Sequence, residues 1–252
     1  MIQILFLLFF CASLFAGTID PDVPDSEYIK FASSLDYVVE IEGECRDNTL
    51  FYGSAILIDD HNFLTAAHVV ENYKSCKISV NRNEFLVAKV ISHPNFKHEN
   101  IGFADIAIGH STKPFNIKNY PSLYDDTEEQ NKICIISGYG VSGKSGTENS
   151  SLVFDRKRRA GSNLIDKIEK DTLICIETSR GNDSHTNMEF MIASGDSGGP
   201  LFIDNKLAGI NSVLTTVKSS VEPKKRIESS HTRVSKFVEW IQANRYKYEP
   251  KK

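Results

Sequence analysis

Several classes of protein are excluded by what this 252-residue sequence has little of. Basic charge is not in excess: 29 lysines and arginines against 33 aspartates and glutamates give a net charge of -4, which supplies no field for a polyanion, so nucleic acid is not an expected partner. Cysteine is sparse, five in all, and none stands in a tight Cys/His spacing, so no metal site is expected and no cofactor is implied. Long apolar runs are missing beyond residues 2–16, and that run is shorter than the roughly 20 residues a membrane span needs. There is no internal repeat and no long linker, and 40% hydrophobic with 25% charged residues is the balance of a folded globular chain.

The run from Ile2 to Ala16 reads as a secretory signal occupying residues 1–17, cleaved near Ala16 or Gly17, which predicts a secreted or periplasmic protein with no stable membrane insertion after its removal. It lacks a positive flank beyond the α-amino group, so an uncleaved anchor or a core strand are the other readings. About 235 residues then remain, enough for two packed β-domains with a site between them.

The stretch Ser194-Gly195-Asp196-Ser197-Gly198-Gly199-Pro200 puts a serine in a glycine-rich turn, where its hydroxyl and adjacent main-chain N–H groups can converge on one carbonyl. Serine needs a general base, and the imidazole that serves needs a buried carboxylate to fix its tautomer. Upstream, Leu64-Thr65-Ala66-Ala67-His68-Val69 and Ala104-Asp105-Ile106-Ala107-Ile108 supply both from apolar runs. Gly195-Asp196-Ser197-Gly198-Gly199 also fits the G-x-S-x-G elbow of an α/β-hydrolase, but that fold needs its acid and histidine after the serine. Only 55 residues follow Ser197, with His231 as their sole histidine, and no alternating strand-helix pattern precedes it.

With Thr65-Ala66-Ala67-His68, Asp105-Ile106-Ala107 and Gly195-Asp196-Ser197-Gly198-Gly199-Pro200 in this order, the sequence resembles the trypsin and chymotrypsin family of serine endopeptidases. The resemblance continues through Leu207-Ala208-Gly209-Ile210-Asn211-Ser212, Arg233-Val234 and Val238-Glu239-Trp240-Ile241, and covers roughly residues 35 to 245. It implies an all-β fold of two antiparallel six-stranded barrels with the active site between them and a C-terminal helix. The expected divisions are an N-terminal segment at 18–34, a first barrel at 35–125 with His68 and Asp105, a second at 126–233 with Ser197, and the helix at 234–245. Short apolar or alternating runs at Tyr37–Ile41, Ala55–Ile58, Phe85–Ile91, Ile133–Ser137, Leu173–Ile176 and Leu201–Ile203 read as strands, and Val234, Phe237, Val238 and Ile241 share one helical face.

The resemblance implies that Ser197 is the nucleophile, His68 the base and then acid, Asp105 the orienting carboxylate, and the Gly195 and Ser197 amides the oxyanion hole. It implies that Ser212 supports Asp105 and that the substrate is a protein or peptide, cleaved by a monomer. In the specificity pocket the chain departs from the trypsin pattern. Met191 stands where a trypsin-like enzyme holds an aspartate, and Leu214 and Ser229 stand where wall glycines are common, which disfavours basic side chains and favours small or medium apolar ones. The stretch Val217 to Arg226 is an insertion near that wall.

Activation departs too. No Ile-Val-Gly-Gly start is present and nothing basic lies between Met1 and Lys30, so the partner of Asp196 is expected to be an amine freed by signal cleavage or a local side chain. Gly53 and Val69 replace a cysteine pair common in relatives, and Ala193 and Ile203 replace two more; the remaining favoured pairs are Cys45–Cys76 and Cys134–Cys175, with free thiols as the other reading. Arg156-Lys157-Arg158-Arg159 reads as a solvated strand or loop rather than a processing site, His61, His93, His98 and His185 as solvated loop residues, and Ser142–Ser151 as a mobile surface loop. Asn149 and Asn182 fit the glycosylation pattern. Two other functions fit the same scaffold: a catalytically silent binding protein, and an esterase using the same triad.

Overall fold

Two-residue turns cut the chain into hairpins. Asn81-Arg82 and Asp204-Asn205 all have positive φ, between 49 and 67°, the conformation a right-twisted hairpin demands at both turn positions. Asparagine and aspartate tolerate it because their short polar side chains bond locally. The computed structural model describes residues 19–145, 152–218 and 225–246. The apolar leader with Cys11, and the glycosylation pattern at Asn149, lie outside the described residues.

The first sheet is a closed antiparallel barrel in the order β1-β2-β3-β6-β5-β4, formed by β1 (Val38–Cys45), β2 (Leu50–Leu57), β3 (Asn62–Thr65), β4 (Tyr73–Val80), β5 (Asn83–Ser92) and β6 (Ala107–Ser111). Register puts Ile41, Phe63 and Ile78 on one face and Ile56, Leu64 and Ile108 on the other, and both faces are buried in the same apolar cluster. The second sheet holds β7 (Ile133–Gly138), β8 (Arg159–Leu164), β9 (Lys167–Glu169), β10 (Thr172–Ile176), β11 (Pro200–Ile203), β12 (Lys206–Lys218) and β13 (Lys225–Arg233), ordered β8-β7-β11-β12-β13-β10-β9. It is a half-barrel of seven strands rather than a closed set of six. Ile165 and Asp166 turn the chain between β8 and β9, leaving those two strands as the open edges, and the turn is tied down by Asp166 N to Ile174 O and Ile176 N to Asp166 Oδ2. Of the Val217–Arg226 stretch, the described residues extend the β12–β13 ladder as far as Lys218 opposite Lys225, and 219–224 lie outside the described residues.

A helix absent from the sequence expectations, α1 (Asp25–Ala32), follows Pro24. Asp25 and Glu27 suit its positive N-terminal end, and Tyr28 and Ala32, one turn apart, are buried against β8. The last turn of the chain starts as 3-10 helix at Val234–Lys236 and becomes α2 (Val238–Asn244); Val234, Phe237 and Ile241 pack into the core of the first barrel, so the chain's end straps the second sheet to the first. No described helix is long and apolar enough to cross a membrane.

The basic run is not solvated throughout. Arg159 is only 4% exposed on its side chain and pairs bidentately with both Asp25 and Asp155, while Arg158 donates to the carbonyls of Ala32 and Val38. These cations join α1 and β1 to the second sheet. The four described cysteines are thiols. Cys134 Sγ and Cys175 Sγ lie 3.7 Å apart in the second core. Cys45 and Cys76 do not face each other: the ladder sets Cys76 opposite Gly43, and an irregularity between Glu44 and Cys45 sets Cys45 opposite Tyr73.

Candidate active site

His68 sits on a single 3-10 turn, Ala67–Val70, immediately after β3. Asp105 precedes β6, aimed by Ala104 in the left-handed region at φ 49°, a costly conformation for a residue with a Cβ, and the turn is closed by Ile106 N donating to Ala104 O. Both residues belong to the first barrel. Across the interface, Thr232 Oγ1 on β13 donates to the Asp105 carbonyl (3.0 Å) and Ser212 Oγ on β12 to Asp105 Oδ2 (2.5 Å).

His68 Nδ1 lies 2.7 Å from Asp105 Oδ2, and His68 N donates to Asp105 Oδ1 at 2.9 Å. Asp105 is fully buried. Burial alone would raise its carboxyl, but the hydrogen bonds and charge of His68, with the bond from Ser212, hold it below the ordinary value. It is therefore an acceptor, and His68 Nδ1 carries the proton between them, the tautomer in which a neutral imidazole has its lone pair on Nε2. The Ser197 hydroxyl donates to the Ser212 carbonyl at 3.4 Å, and among the described residues no hydrogen bond joins it to His68. A long or misdirected nucleophile bond is common before substrate arrives.

The turn bearing Ser197 fixes three successive peptide planes. The Ser194 carbonyl accepts from Val141 N (2.9 Å), the Gly195 carbonyl from Ser54 Oγ (2.8 Å), and the Asp196 carbonyl from Gly199 N (2.9 Å) and Asn211 Nδ2 (3.1 Å). Because N–H points opposite to C=O across a trans peptide, these bonds turn the amides of Gly195 and Ser197 the other way. Among the described residues neither amide has an acceptor. Gly195 and Gly198 have φ of 98° and 84°, and a Cβ at Gly198 would collide with Thr65 Oγ1 and Ser54 O, so the close approach of the two halves requires glycine.

Asp196, 2% exposed, points back into the second sheet, where Oδ1 accepts from Gly140 N (2.7 Å) and Oδ2 from Ala193 N (2.8 Å). Burial pushes its carboxyl up to about 7 against those two bonds and the more distant charge of Arg159. No side-chain cation among the described residues bonds to it, contrary to the expected local partner.

The β12–β13 ladder pairs Leu214 directly with Ser229. Met191 and Ser229 are almost wholly buried, at 2% and 0%, and Met191 Sδ takes a bond from Asn163 Nδ2 (3.2 Å). Beneath them His231 bridges Ser229 Oγ (Nε2, 3.0 Å) and Asn211 Oδ1 (Nδ1, 2.9 Å). Complete burial lowers the His231 imidazole to about 3, so it is neutral. Asn211 spends its amide hydrogens on Ser137 O and Asp196 O, which leaves its oxygen to accept from His231 Nδ1. His231 and Asn211 were not singled out from the sequence; β13 is polar almost throughout, Ile227 being its only apolar residue, so nothing local marked its histidine as buried. Gly53 and Val69 do face each other, a Cβ on Gly53 falling 2.9 Å from Val69 Cγ1.

The remaining histidines stay away from this constellation, but not all are solvated: His110 is buried, its Nδ1 2.6 Å from Asn62 Oδ1. His93 packs against Phe237 and Trp240, and His185 Nε2 lies 3.1 Å from the buried carboxylate of Asp20. The Ser142–Ser151 loop starts in a bridge between Ser142 and Val153, with Ser142 buried, and Asn182 is exposed.

The family model described as trypsin matches residues 36–241. Similar curated proteins include a chymotrypsin of Phaedon cochleariae, 25% identical over 235 residues, covering 84% of this chain and 78% of that one. A trypsin of Sus scrofa is 25% identical over 241 residues, covering 89% and 96%. Among solved structures, neuropsin, a serine protease expressed in the limbic system of mouse brain, superposes with a TM-score of 0.61 at 22% identity, covering 83% of this chain and 94% of that one.

Proposed function

The chain belongs to the trypsin family and is a serine-type endopeptidase, and from that premise we propose that Ser197, His68 and Asp105 perform the hydrolysis. The observation that carries this reading is the bonded array Ser212–Asp105–His68 beside a serine whose own amide and that of Gly195 have no acceptor among the described residues. Ser197 Oγ swings from the Ser212 carbonyl toward His68 Nε2 and attacks the scissile carbonyl as His68 takes its proton. The Gly195 and Ser197 amides receive the developing oxyanion, a role in which one donor is worth on the order of 10²–10³ in rate. His68 then protonates the leaving amine, and water reverses the sequence to release the acyl group. Asp105 holds the tautomer throughout.

The specificity reading rests on the filled base of the pocket. Met191 offers no charge to a Lys or Arg side chain, and Leu214 opposite Ser229 narrows the space that paired glycines would leave. Small or medium apolar residues at the cleavage site are the expected choice, with discrimination of about 1–3 kcal/mol per methylene. We further read the protein as a monomer exported to a secreted or periplasmic compartment, on the apolar run at residues 2–16.

Digestion of a proteome-derived peptide library, with cleavage sites read by mass spectrometry, tests the reading. Cuts after Ala, Val or Leu support it. Cuts after Lys or Arg would overturn the pocket assignment, hydrolysis of matched esters alone would make the protein an esterase, and no turnover by the folded protein would favour the silent binding protein.

A further inference from the structure

A buried hydroxyl in the first barrel grips the turn that carries the nucleophile. Ser54, on β2, is fully buried. Its main-chain N–H donates to the Ser197 carbonyl (2.8 Å) and its own carbonyl accepts from Thr65 Oγ1 (2.8 Å). Its Oγ donates its single proton to the Gly195 carbonyl (2.8 Å) and accepts from Tyr139 N (2.9 Å), which leads out of β7. One residue of the first barrel thus holds the turn on both sides of Asp196, and holds the following segment of the second sheet with the same oxygen.

We propose that Ser54 is a positioning residue for the oxyanion hole. Its side chain fixes the Gly195–Asp196 peptide plane, and with it the hinge about which the Gly195 amide could turn away from a substrate carbonyl. Gly195 has positive φ and no side chain to limit rotation about its Cα, so the orientation of its two peptide planes depends on the bonds they make. The Val141 amide restrains the first plane; the second is held within the turn by Asp196 N donating to Ala193 O (2.9 Å) and from the first barrel by Ser54 Oγ. The bond is uncharged and internal to the fold, so it acts without any ammonium group at Asp196. The inference rests on reading the Gly195 and Ser197 amides as the oxyanion hole.

Ser54→Ala and Ser54→Gly remove the hydroxyl and leave both main-chain bonds. The test measures amide hydrogen exchange of the Ser194–Gly199 segment by mass spectrometry in the full chain, together with kcat and KM for a peptide p-nitroanilide. Losing one net hydrogen bond corresponds to roughly tenfold. Exchange in that segment should quicken by about that factor while the rest of both sheets is unchanged, and kcat should fall about tenfold with KM within about twofold. Ser54→Thr, which restores a hydroxyl, should recover part of the loss. Unchanged exchange and kcat in a folded variant would overturn the proposal. So would protection lost evenly across both sheets, a rise in KM at constant kcat, or failure of both variants to fold, because each makes Ser54 a general packing residue. Exchange that responds to Ser54 in a protein that never turns over peptide would retire the reading of the hole and leave the lock standing.

Discussion

Ser212 Oγ donates to Asp105 Oδ2 at 2.5 Å, the same oxygen that faces His68 Nδ1 at 2.7 Å. The buried carboxylate therefore has its charge shared between the two halves of the molecule. Removing the hydroxyl with Ser212→Ala should lower kcat/KM by about tenfold, the value of one hydrogen bond to a charged group, whereas Asp105→Asn should cost on the order of 10⁴-fold by reversing the tautomer of His68. Steady-state kinetics on one peptide substrate compares the two. Equal losses would contradict the division of roles.

Leu214 opposite Ser229 is the feature that should be easiest to reverse. Leu214→Gly opens the wall and should raise kcat/KM for phenylalanine relative to alanine at the cleavage site by at least about tenfold, the low end of what a few methylenes decide. A matched pair of peptide substrates reads the ratio. An unchanged ratio would place the pocket elsewhere.

The parts of this molecule that could be read from sequence are those carried by contiguous residues. His68, Asp105 and Ser197 each sit in a local run of five to seven residues that marks them as candidates, and the alternation of Tyr37–Ile41 or Leu201–Ile203 needs only its own side chains to announce a strand. What stayed hidden depends on partners far along the chain. Ser54 has meaning only beside Gly195 and Tyr139, and Arg159 looks solvated until Asp25, 134 residues away, arrives to neutralise it. Helix α1 has two buried anchors, Tyr28 and Ala32, too few for a periodic signal. The pairing of Cys45 with Cys76 depended on strand register, which sets Cys76 opposite Gly43 and, past an irregularity after Glu44, Cys45 opposite Tyr73.

Arg233 and Glu129 form a buried bidentate pair, Nε to Oε1 at 2.8 Å and the second guanidinium nitrogen to Oε2 at 2.7 Å. Burial works against the Glu129 charge, but the bonds from Arg233 and Ser235 keep its carboxyl below the ordinary value. Glu129→Ala strands the arginine and should cost about 3–5 kcal/mol in urea unfolding. A loss below about 1 kcal/mol would mean that water reaches the guanidinium.

His231 should make the protein sensitive to acid. Its folded value of about 3 lies below the ordinary 6.5, so the unfolded chain takes up a proton that the native state refuses, and its contribution to stability is lost as pH falls from about 6.5 toward 3. Asp196, pushed up to about 7 from 3.8, acts in the opposite sense, its contribution lost as pH rises across that interval. Measured against His231→Gln, the unsubstituted protein should gain about 1.4 kcal/mol per pH unit between pH 3 and 6.5 and nothing above. A flat difference would show that His231 titrates normally.

Labelling of the protein with a fluorophosphonate probe, beside Ser197→Ala and His68→Ala, tests the central claim most directly, because the probe reports an activated serine without assuming a substrate. The account predicts one label, on Ser197, that disappears in both variants. Labelling that survives Ser197→Ala, or a folded protein that takes no label, would contradict it.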